Sequence, residues 1–480
     1  MKLNKWFLLL VCLYSNLPLF SQEINVSVLF GPFANDTLLS SDPRLKEIPT
    51  KTFTADDVLN RTIKWNHPYH PDITPQTNGF DFSKVGKTPA KGIHPRIFTA
   101  PADFTDIKVR LETTKMGQQL SKLAEAELGN MRKGGGKSGK FYQLLLTGTN
   151  LVDPKAELPK EMANLLSIQG LLAQLNHDKA LTAKTGTIAA NYLKIVLNQI
   201  AKKEPILGRE KMVKEEIFSG ASLAKLFDFT AAGMTSSDKK IITDLFAKNT
   251  NGKYSVGMEL PPHWRRWNHI PASGQYGLTM LAIENEKGYD KRIYACATDV
   301  AEDYLTYAFS SDGMSSEGLT YTFGPFESEL LFMTAMLRRE GKNLFANPHF
   351  RAIPDWLIYT LSPNPECLWS SHGDTGSTSK ISWTMMMVMK YFFPEDARID
   401  YLFANALYKE ELKLPDVSAF VFCNDPSKTA SAYNGIPPVK MPLTYFSPTR
   451  GSFITRDHWD KNGVMFQWSL VMNQGSQNPL

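Results

Sequence analysis

A long series of amphipathic segments constrains this chain more than any other feature. Between about residues 102 and 412, apolar residues recur every three or four positions, and short loops with Gly, Pro or Asn separate the segments. The clearest segments cover 161–175, 188–203, 217–232, 238–249, 299–309, 326–341 and 353–361. Strand-like alternation is nearly absent there, and no fixed repeat of about 34 or 40 residues is visible. The pattern therefore predicts a mainly α protein with an (α/α) toroid over residues 94–415.

The pattern changes on both sides of this helical region. Residues 22–93 are rich in Pro, Asn, Asp, Thr and Ser and predict an extended lead-in, with Pro95 and Pro101 preventing a helix before about residue 102. After residue 415, period-two segments predict strands at 418–423, 444–456 and 463–473. We therefore expect residues 416–480 to be a partial antiparallel β-sheet domain, whose remainder would follow Leu480.

The first 21 residues are typical of a secretory signal peptide. Lys2 and Lys5 precede a short apolar stretch that Pro18 interrupts, and a membrane anchor needs roughly 20 apolar residues. The sequence thus predicts a secreted or periplasmic protein without a transmembrane segment. The net charge of +5, or +3 without those two lysines, is too small and too evenly spread to predict nucleic-acid binding. Cys296, Cys367 and Cys423 then remain, an odd number without metal-site spacing, so no disulfide scaffold is expected.

The stretch WRRWNHIPASGQYG, residues 264–277, concentrates residue types that suit an acidic sugar. Aromatic faces stack on pyranose rings, Arg and Asn donate to carboxylate or sulfate, and a helix predicted from about Ser273 would place its N-terminal end beside them. The alternative is that the tryptophans are core and the arginines are surface. The candidate residues are Trp264, Arg265, Arg266 and Trp267 for substrate binding, and Asn268 and His269 for catalysis.

Two further polar loops carry candidates. In SSDGMSSEGLTYTFGPFESE, residues 310–329, Asp312-Gly313 predicts a turn, Glu317 is a candidate for substrate binding, and Tyr321 is a candidate acid or base or else a packed aromatic. In LWSSHGDTGSTSK, residues 368–380, His372 is a candidate substrate-binding residue. Asp374 either orients that imidazole or, in the favoured interpretation, caps a helix that begins near Thr378.

Several chemistries have no signature in the sequence. It lacks a GxSxG elbow, an HExxH pair, a P-loop and a GxGxxG fingerprint. Paired carboxylates for glycoside hydrolysis stay open as a rival, because four acids lie close together in sequence: Asp312, Glu317, Glu327 and Glu329.

The ordered set of motifs resembles the heparinase II/III-type polysaccharide lyases, whose relatives include ulvan and oligoalginate lyases. The motifs are the Arg/Trp-rich NH before a helix, DGMSSEGLTYTFG about fifty residues later, HPRIFTAPADFTDIKVRL and YFSPTRGSFITRDHW, so the resemblance spans roughly 92–480. It implies an (α/α) toroid followed by an antiparallel β-sheet domain, and β-elimination on an anionic polysaccharide that contains uronic acid. An ulvan-like substrate leads, with alginate or a heparin-like glycosaminoglycan as alternatives.

The resemblance also implies roles for three residues. Asn268 would hydrogen-bond the uronate carboxylate, His269 would help to neutralise it or act as base, and Tyr321 would be base, acid or both. The family's further catalytic histidine, and a divalent metal in some members, come from an H-x-H-x-x-D-like segment that would follow Leu480. The sequence itself requires no cofactor, and His372 is expected at a subsite. A carboxylate-dependent hydrolase and a non-catalytic glycan-binding protein remain the other hypotheses.

Overall fold

The computed structural model describes most of the chain from residue 73 to residue 469. The described residues are 73–147, 161–202, 220–250, 273–284, 289–315, 318–319, 322, 326–362, 382–409, 412–433, 435–448, 451–460 and 462–469. Over these residues the protein is mainly helical, with one small antiparallel sheet near the C-terminal end.

The described helices are numbered here in chain order. They are α1 Phe104–Thr113, α2 Lys115–Arg132, α3 Gly136–Thr147, α4 Glu161–Leu175, α5 Lys179–Lys202, α6 Gly220–Thr230, α7 Ser236–Thr250, α8 Ser273–Ala282, α9 Lys291–Ala308, α10 Phe326–Glu340, α11 Pro348–Thr360, α12 Trp383–Phe392, α13 Ala397–Lys409, α14 Val417–Val421 and α15 Ala430–Tyr433. Short 3-10 turns lie at Phe82–Lys84, Pro101–Asp103, Ala231–Gly233 and Leu344–Ala346.

The even-numbered helices from α4 to α14 form the interior of the helical region. Each packs against the next in the series, and α14 packs against α4. Of the odd-numbered helices, α5, α9 and α13 lie against them, and α7 packs on α5 while α11 packs on α9 and α13. This arrangement explains the sequences: α4 and α12 are buried on nearly all sides, whereas α2 buries one stripe at helical spacing.

The predicted helical segments are confirmed wherever they are described. Residues 161–175 form α4 with the predicted bounds, and α10 ends at Glu340, with Gly341 following at φ +70° as a C-terminal stop. The helix expected near Ser273 begins there. One start was misplaced: the helix expected from Thr378 begins at Trp383, because Ser382 is its N-cap and accepts a hydrogen bond from Met385 N–H.

The strand predicted at 418–423 is wrong. Residues Val417–Val421 form the short helix α14, and all five side chains are buried. Asp416 caps it by accepting a hydrogen bond from Ser418 N–H at 3.0 Å. A short apolar run has the same composition whether it is a buried strand or a buried helix, and the Pro415-Asp416 start signal distinguishes them.

Strands β1 Thr444–Ser447, β2 Ser452–Arg456 and β3 Met465–Ser469 confirm the other two strand predictions. They form one antiparallel sheet in the order β1-β2-β3. The inner face is anchored to the helices through the Tyr445 ring, whose centroid lies 4.9 Å from that of Tyr359 on α11. Phe446, Phe466 and Trp468 on the other face are each more than half exposed.

The described part of the lead-in, from residue 73, lies along the helical region. The Phe80 ring stacks on Phe392 at a centroid distance of 5.3 Å, and Asp81 N–H donates to the Phe392 carbonyl at 2.8 Å. Further along, the backbone N–H groups of Arg96 and Ile97 donate to the carboxylate of Asp228 on α6. This segment is therefore part of the folded core.

Candidate active site

The N-terminal ends of three interior helices meet at one edge of the helical region. Gly274 N–H, in the first turn of α8, donates to Glu329 Oε1 in the first turn of α10 at 2.8 Å. The N-cap of α12 joins them, because Ser382 Oγ donates to Glu327 Oε2 at 3.2 Å. Glycine is required at 274, since an added Cβ would lie 2.6 Å from the carbonyl carbon of Ser328.

Helices α4 and α14 reach the same edge. Asn164 in the first turn of α4 donates from Nδ2 to the Pro415 carbonyl, and its Oδ1 accepts from Val417 N–H, each at 2.9 Å. In addition, Thr384 Oγ1 on α12 and Ser418 Oγ on α14 lie 3.1 Å apart. We call the edge where these five helices begin the N-terminal rim; it is defined by Asn164, Gly274, Ser382 and Ser418.

A buried ion pair lies beneath the N-terminal rim. Lys225, in the middle of α6, extends its Nζ to within 2.6 Å of Asp416 Oδ2 at the start of α14, and only 5% of the lysine is exposed. Asp416 also accepts from Ser418 Oγ at 2.6 Å. Burial opposes ionisation of Asp416, but Lys225 and the Ser418 donors outweigh it and hold the pKa of this carboxyl below its usual range.

Glu327 is the second acid at this place. Burial first, and then the nearby Asp416 carboxylate, raise the pKa of Glu327 to about 7, although Lys225 and the Ser382 hydroxyl act in the opposite direction. The helix dipole favours an ionised acid in the first turn by only about 0.3–1 kcal/mol. Since burial and repulsion outweigh that contribution, the two acids have pKa values that are pushed apart.

The β-sheet contacts the described residues that lie just before the Tyr321 and His372 segments in the chain. Tyr445 Oη donates to the carbonyl of Asp312 at 3.3 Å, in a turn that also bridges Phe309 to Ser315. Arg456 Nη2 donates to the Tyr359 carbonyl at 2.6 Å and the Leu361 carbonyl at 3.1 Å, at the C-terminal end of α11. The described residues that precede positions 316–325 and 363–381 in the chain therefore contact the sheet, and α10 and α12 follow those positions.

The predicted site residues themselves lie outside the described residues. This holds for Trp264, Arg265, Arg266, Trp267, Asn268, His269, Glu317, Tyr321 and His372, and for Asp374. What the structure places is the point to which each segment is attached. Residues 264–269 precede α8, Tyr321 precedes α10 and His372 precedes α12, and these three helices begin at the N-terminal rim.

The three described acids of the rival hydrolase hypothesis divide into two groups. Glu327 and Glu329 both face the N-terminal rim, through Ser382 and Gly274 respectively. Asp312 lies instead in the turn before Ser315, where Ser310 Oγ donates to its carboxylate. The turn predicted at Asp312-Gly313 is confirmed, and Gly313 has a φ of +85°.

Sequence reasoning missed three buried polar residues. Lys225 and Asp416 form the ion pair under the N-terminal rim, and Asp228 accepts from His94 Nδ1, across a 2.7 Å contact, as well as from two backbone N–H groups. The sequence did contain a signal for them. Lys225 and Asp228 are the two charged residues of a helix that is otherwise mostly apolar, and a lysine is almost never fully buried unless it is paired. The partners were not visible because they are more than 130 residues away in sequence.

Comparisons with known proteins add no identity. No model of a known protein family matches the chain, and none of the curated proteins matches it.

Among the described residues, no group of three or more His, Cys, Asp or Glu is arranged to hold a metal ion. None of the described helices is both long enough and apolar enough to cross a membrane. Cys423 is a buried free thiol whose pKa burial raises to about 11.

Proposed function

We propose that this chain is a secreted polysaccharide lyase that cleaves an anionic, uronic-acid-containing polysaccharide by β-elimination. An ulvan-like polymer is the leading substrate class, followed by alginate and heparin-like glycosaminoglycans. Export rests on residues 1–21, which resemble a signal peptide and lie outside the described residues. We also propose that the helical region is an (α/α) toroid; support comes from the succession of interior helices in which α14 packs against α4.

The observation that carries the proposal is the meeting of α8, α10 and α12 at the N-terminal rim. Asn268 and His269 lie five and four residues before α8, and Tyr321 lies five residues before α10. Hydrogen bonds of 2.8 Å and 3.2 Å join the first turns of α8, α10 and α12. Residues separated by about fifty positions in sequence are thus attached to one edge of the molecule, as a shared site requires.

The same edge suits an anionic ligand. Helices α4, α8, α10 and α12 each have at least ten residues, and all four begin at the N-terminal rim. The N-terminal end of a helix carries a partial positive charge and N–H groups without partners in the helix, so it favours carboxylates and sulfates. Arg265 and Arg266, shortly before α8, would add full positive charges.

In the proposed reaction, the proton at C5 of a uronate is removed, a C4–C5 double bond forms, and the C4–O bond breaks. The adjacent carboxylate resists the negative charge that develops at C5. Asn268 and His269 would neutralise that carboxylate, and each well-aimed donor contributes about 2.7–4 kcal/mol to lowering the barrier. Tyr321 would remove the C5 proton and then return a proton to the leaving glycosidic oxygen, for about 10²–10⁴-fold in rate.

Product chemistry tests this proposal directly. Wild-type protein is incubated with ulvan, alginate, heparin, heparan sulfate and hyaluronan, and the ultraviolet absorbance of the unsaturated sugar is followed. We expect one polymer to give this product, and Tyr321→Phe and His269→Ala each to lower kcat by at least about 10²-fold while polymer binding largely survives. Tyr391→Phe, on α12 away from the N-terminal rim, serves as the control. Near-wild-type rates in both site variants would refute the assignment.

A second candidate function is favoured by the two acids under the N-terminal rim. Two carboxyl groups whose pKa values are pushed apart are typical of a glycoside hydrolase, in which the protonated acid donates to the leaving oxygen. Glu327, with its pKa raised to about 7, and the ionised Asp416 have this character. A hydrolase would generate new reducing ends without ultraviolet absorbance, and Glu327→Gln would inactivate it at every pH.

A further inference from the structure

In the described part of the chain, the cluster beneath the N-terminal rim contains two acids but one cation. The Nζ atom of Lys225 lies 2.6 Å from Asp416 Oδ2, so its charge already has a counter-ion. Glu327 receives a hydrogen bond from a neutral group, the hydroxyl of Ser382. If both acids were ionised, this largely buried cluster would carry a net negative charge next to the positions where an anionic substrate is proposed to bind.

In the described part of the chain, the charged groups that act on Glu327 come from α6 and α14. They are Lys225 and Asp416, and α12 adds the neutral hydroxyls of Ser382 and Thr384. Helices α8 and α9 also pack against α10, and two acids whose side chains are described there pair near the C-terminal end of α10: Glu284, just after α8, with Arg339, and Glu302 on α9 with Lys342. Among the described residues, the charge on Glu327 is therefore decided by its burial first, and then by one ion pair and two hydroxyl groups.

Glu327 is also placed to control geometry at the proposed site. It is the second residue of α10, so it lies two positions after the segment 316–325 that carries Tyr321. Its contact with Ser382 joins α10 to the start of α12. Glu329, two residues later in α10, accepts a hydrogen bond from Gly274 N–H and joins α10 to α8. A shift of the first turn of α10 therefore moves the attachment point of the Tyr321 segment relative to both neighbours.

We propose that Glu327 is a positioning residue of the proposed lyase site, which must be uncharged to leave Lys225 on Asp416 and the first turn of α10 in place beside that pair. The proposal rests on the proposed function. When Glu327 ionises, it repels Asp416 and competes for Lys225, so the ion pair that joins α6 to α14 weakens and the first turn of α10 is pushed away from Asp416. The raised pKa of Glu327, about 7, places this change near neutral pH.

The test compares wild-type protein with Glu327→Gln, which keeps the size and the acceptor for Ser382 but does not ionise. The values of kcat and KM for a uronate oligosaccharide are measured from pH 5.5 to 9, and the ratio of variant to wild-type kcat/KM removes the titration of every other group. We expect the ratio to be constant at acidic pH and to rise above pH 7 by up to about tenfold per pH unit, mainly through kcat. Glu125→Gln, exposed on α2, should give a constant ratio.

A measurement without substrate separates this inference from the proposed function. Because the pKa of Glu327 is raised from 4.5 to about 7 on folding, its stability contribution is complete below pH 4.5 and is lost as the pH rises to about 7. The Tm of Glu327→Gln should therefore rise relative to wild type across that window and then level off. A Tm difference that does not vary with pH, a constant kcat/KM ratio, or a folded variant inactive at every pH overturns the positioning role. A wild-type protein that gives no unsaturated product from any uronate polymer overturns the proposed function itself.

Discussion

Two buried lysine–aspartate pairs in this protein have the same geometry and different surroundings. Lys225 and Asp416 lie 2.6 Å apart beneath the N-terminal rim, and Lys390 and Asp400 lie 2.6 Å apart between α12 and α13. Around Asp400 the remaining partners are donors: Tyr433 Oη at 2.5 Å and Ser427 N–H at 2.6 Å. Around Asp416 there is a second acid, Glu327.

The difference separates a structural ion pair from a candidate functional one. At Asp400 burial opposes ionisation, but Lys390, Tyr433 and Ser427 outweigh it and hold the pKa of the carboxyl below its usual range. Each charge there is matched, so the pair serves to connect α12, α13 and α15. Beneath the N-terminal rim, no described residue gives Glu327 a cation of its own, and strongly perturbed acids of this kind collect at functional sites.

The strongest test of the comparison removes each lysine. Lys225→Met and Lys390→Met should each lower the free energy of unfolding by about 3–5 kcal/mol, because each leaves a carboxylate buried without its partner. The two losses of stability should then diverge above pH 7, where only the loss caused by Lys225→Met continues to grow. The reason is that Lys225 lowers the pKa of Glu327, so without the lysine this pKa is higher and the stability lost on its ionisation extends to higher pH. Urea denaturation at pH 5.5, 7 and 8.5 measures both. Parallel losses at all three pH values would show that Glu327 does not share Lys225.

Removing each aspartate should separate the pairs further. Asp400→Asn leaves Lys390 buried without a carboxylate and should cost about 3 kcal/mol. Asp416→Asn should cost only about 1 kcal/mol, because Glu327 becomes the counter-ion of Lys225 and asparagine still caps α14. The comparison fails if the two substitutions cost the same.

The Asp400→Asn variant also predicts how the stability of the protein changes at acidic pH. The pKa of Asp400 is lowered on folding, so its contribution is present above pH 4 and is lost as the pH falls through the folded value. The acid limb of the stability curve should therefore be shallower in Asp400→Asn than in wild type. Thermal unfolding between pH 2.5 and 6 measures it, and an unchanged acid limb would contradict the assignment.

The smallest effects should come from single hydroxyl groups. Tyr433→Phe removes one donor from Asp400, and Ser382→Ala removes the N-cap of α12, each for about 1 kcal/mol. The sharper difference is in pH dependence. Ser382 donates to Glu327, so its loss should raise the pKa of Glu327 further. In a Ser382→Ala background, the pH at which the Tm of Glu327→Gln rises relative to that of the parent protein should therefore be higher. A midpoint that stays in place would mean that the 3.2 Å contact does not influence the carboxyl.

Much of the fold was predictable from sequence, because the periodicity of apolar residues is a local property. Helix α4 was predicted to its terminal residues, and two of three strand segments are confirmed. The error at 418–423 arose because α14 is too short to show a helical period, so only its Asp416 cap distinguishes it from a strand.

The candidate site was predictable only in part. The residue types of 264–269 suggested an acidic sugar, but these residues lie outside the described residues, and their roles stay predictions. Lys225, Asp416 and Glu327 come from three helices, and Lys225 and Asp416 are 191 positions apart. Their proximity is set by the tertiary arrangement of the helices, which no local pattern encodes.

The contact of Asp228 with residues 94–97 has a consequence for how the chain folds. Helix α6 contains the Asp228 carboxylate, and the hydrogen-bond donors described here for it, from His94, Arg96 and Ile97, lie about 130 residues earlier in the chain. Contacts of this range close large loops and slow folding. A shortened protein that begins after residue 100 would retain the buried aspartate and lose these donors, so we expect it to accumulate a partly folded intermediate that exposes apolar surface.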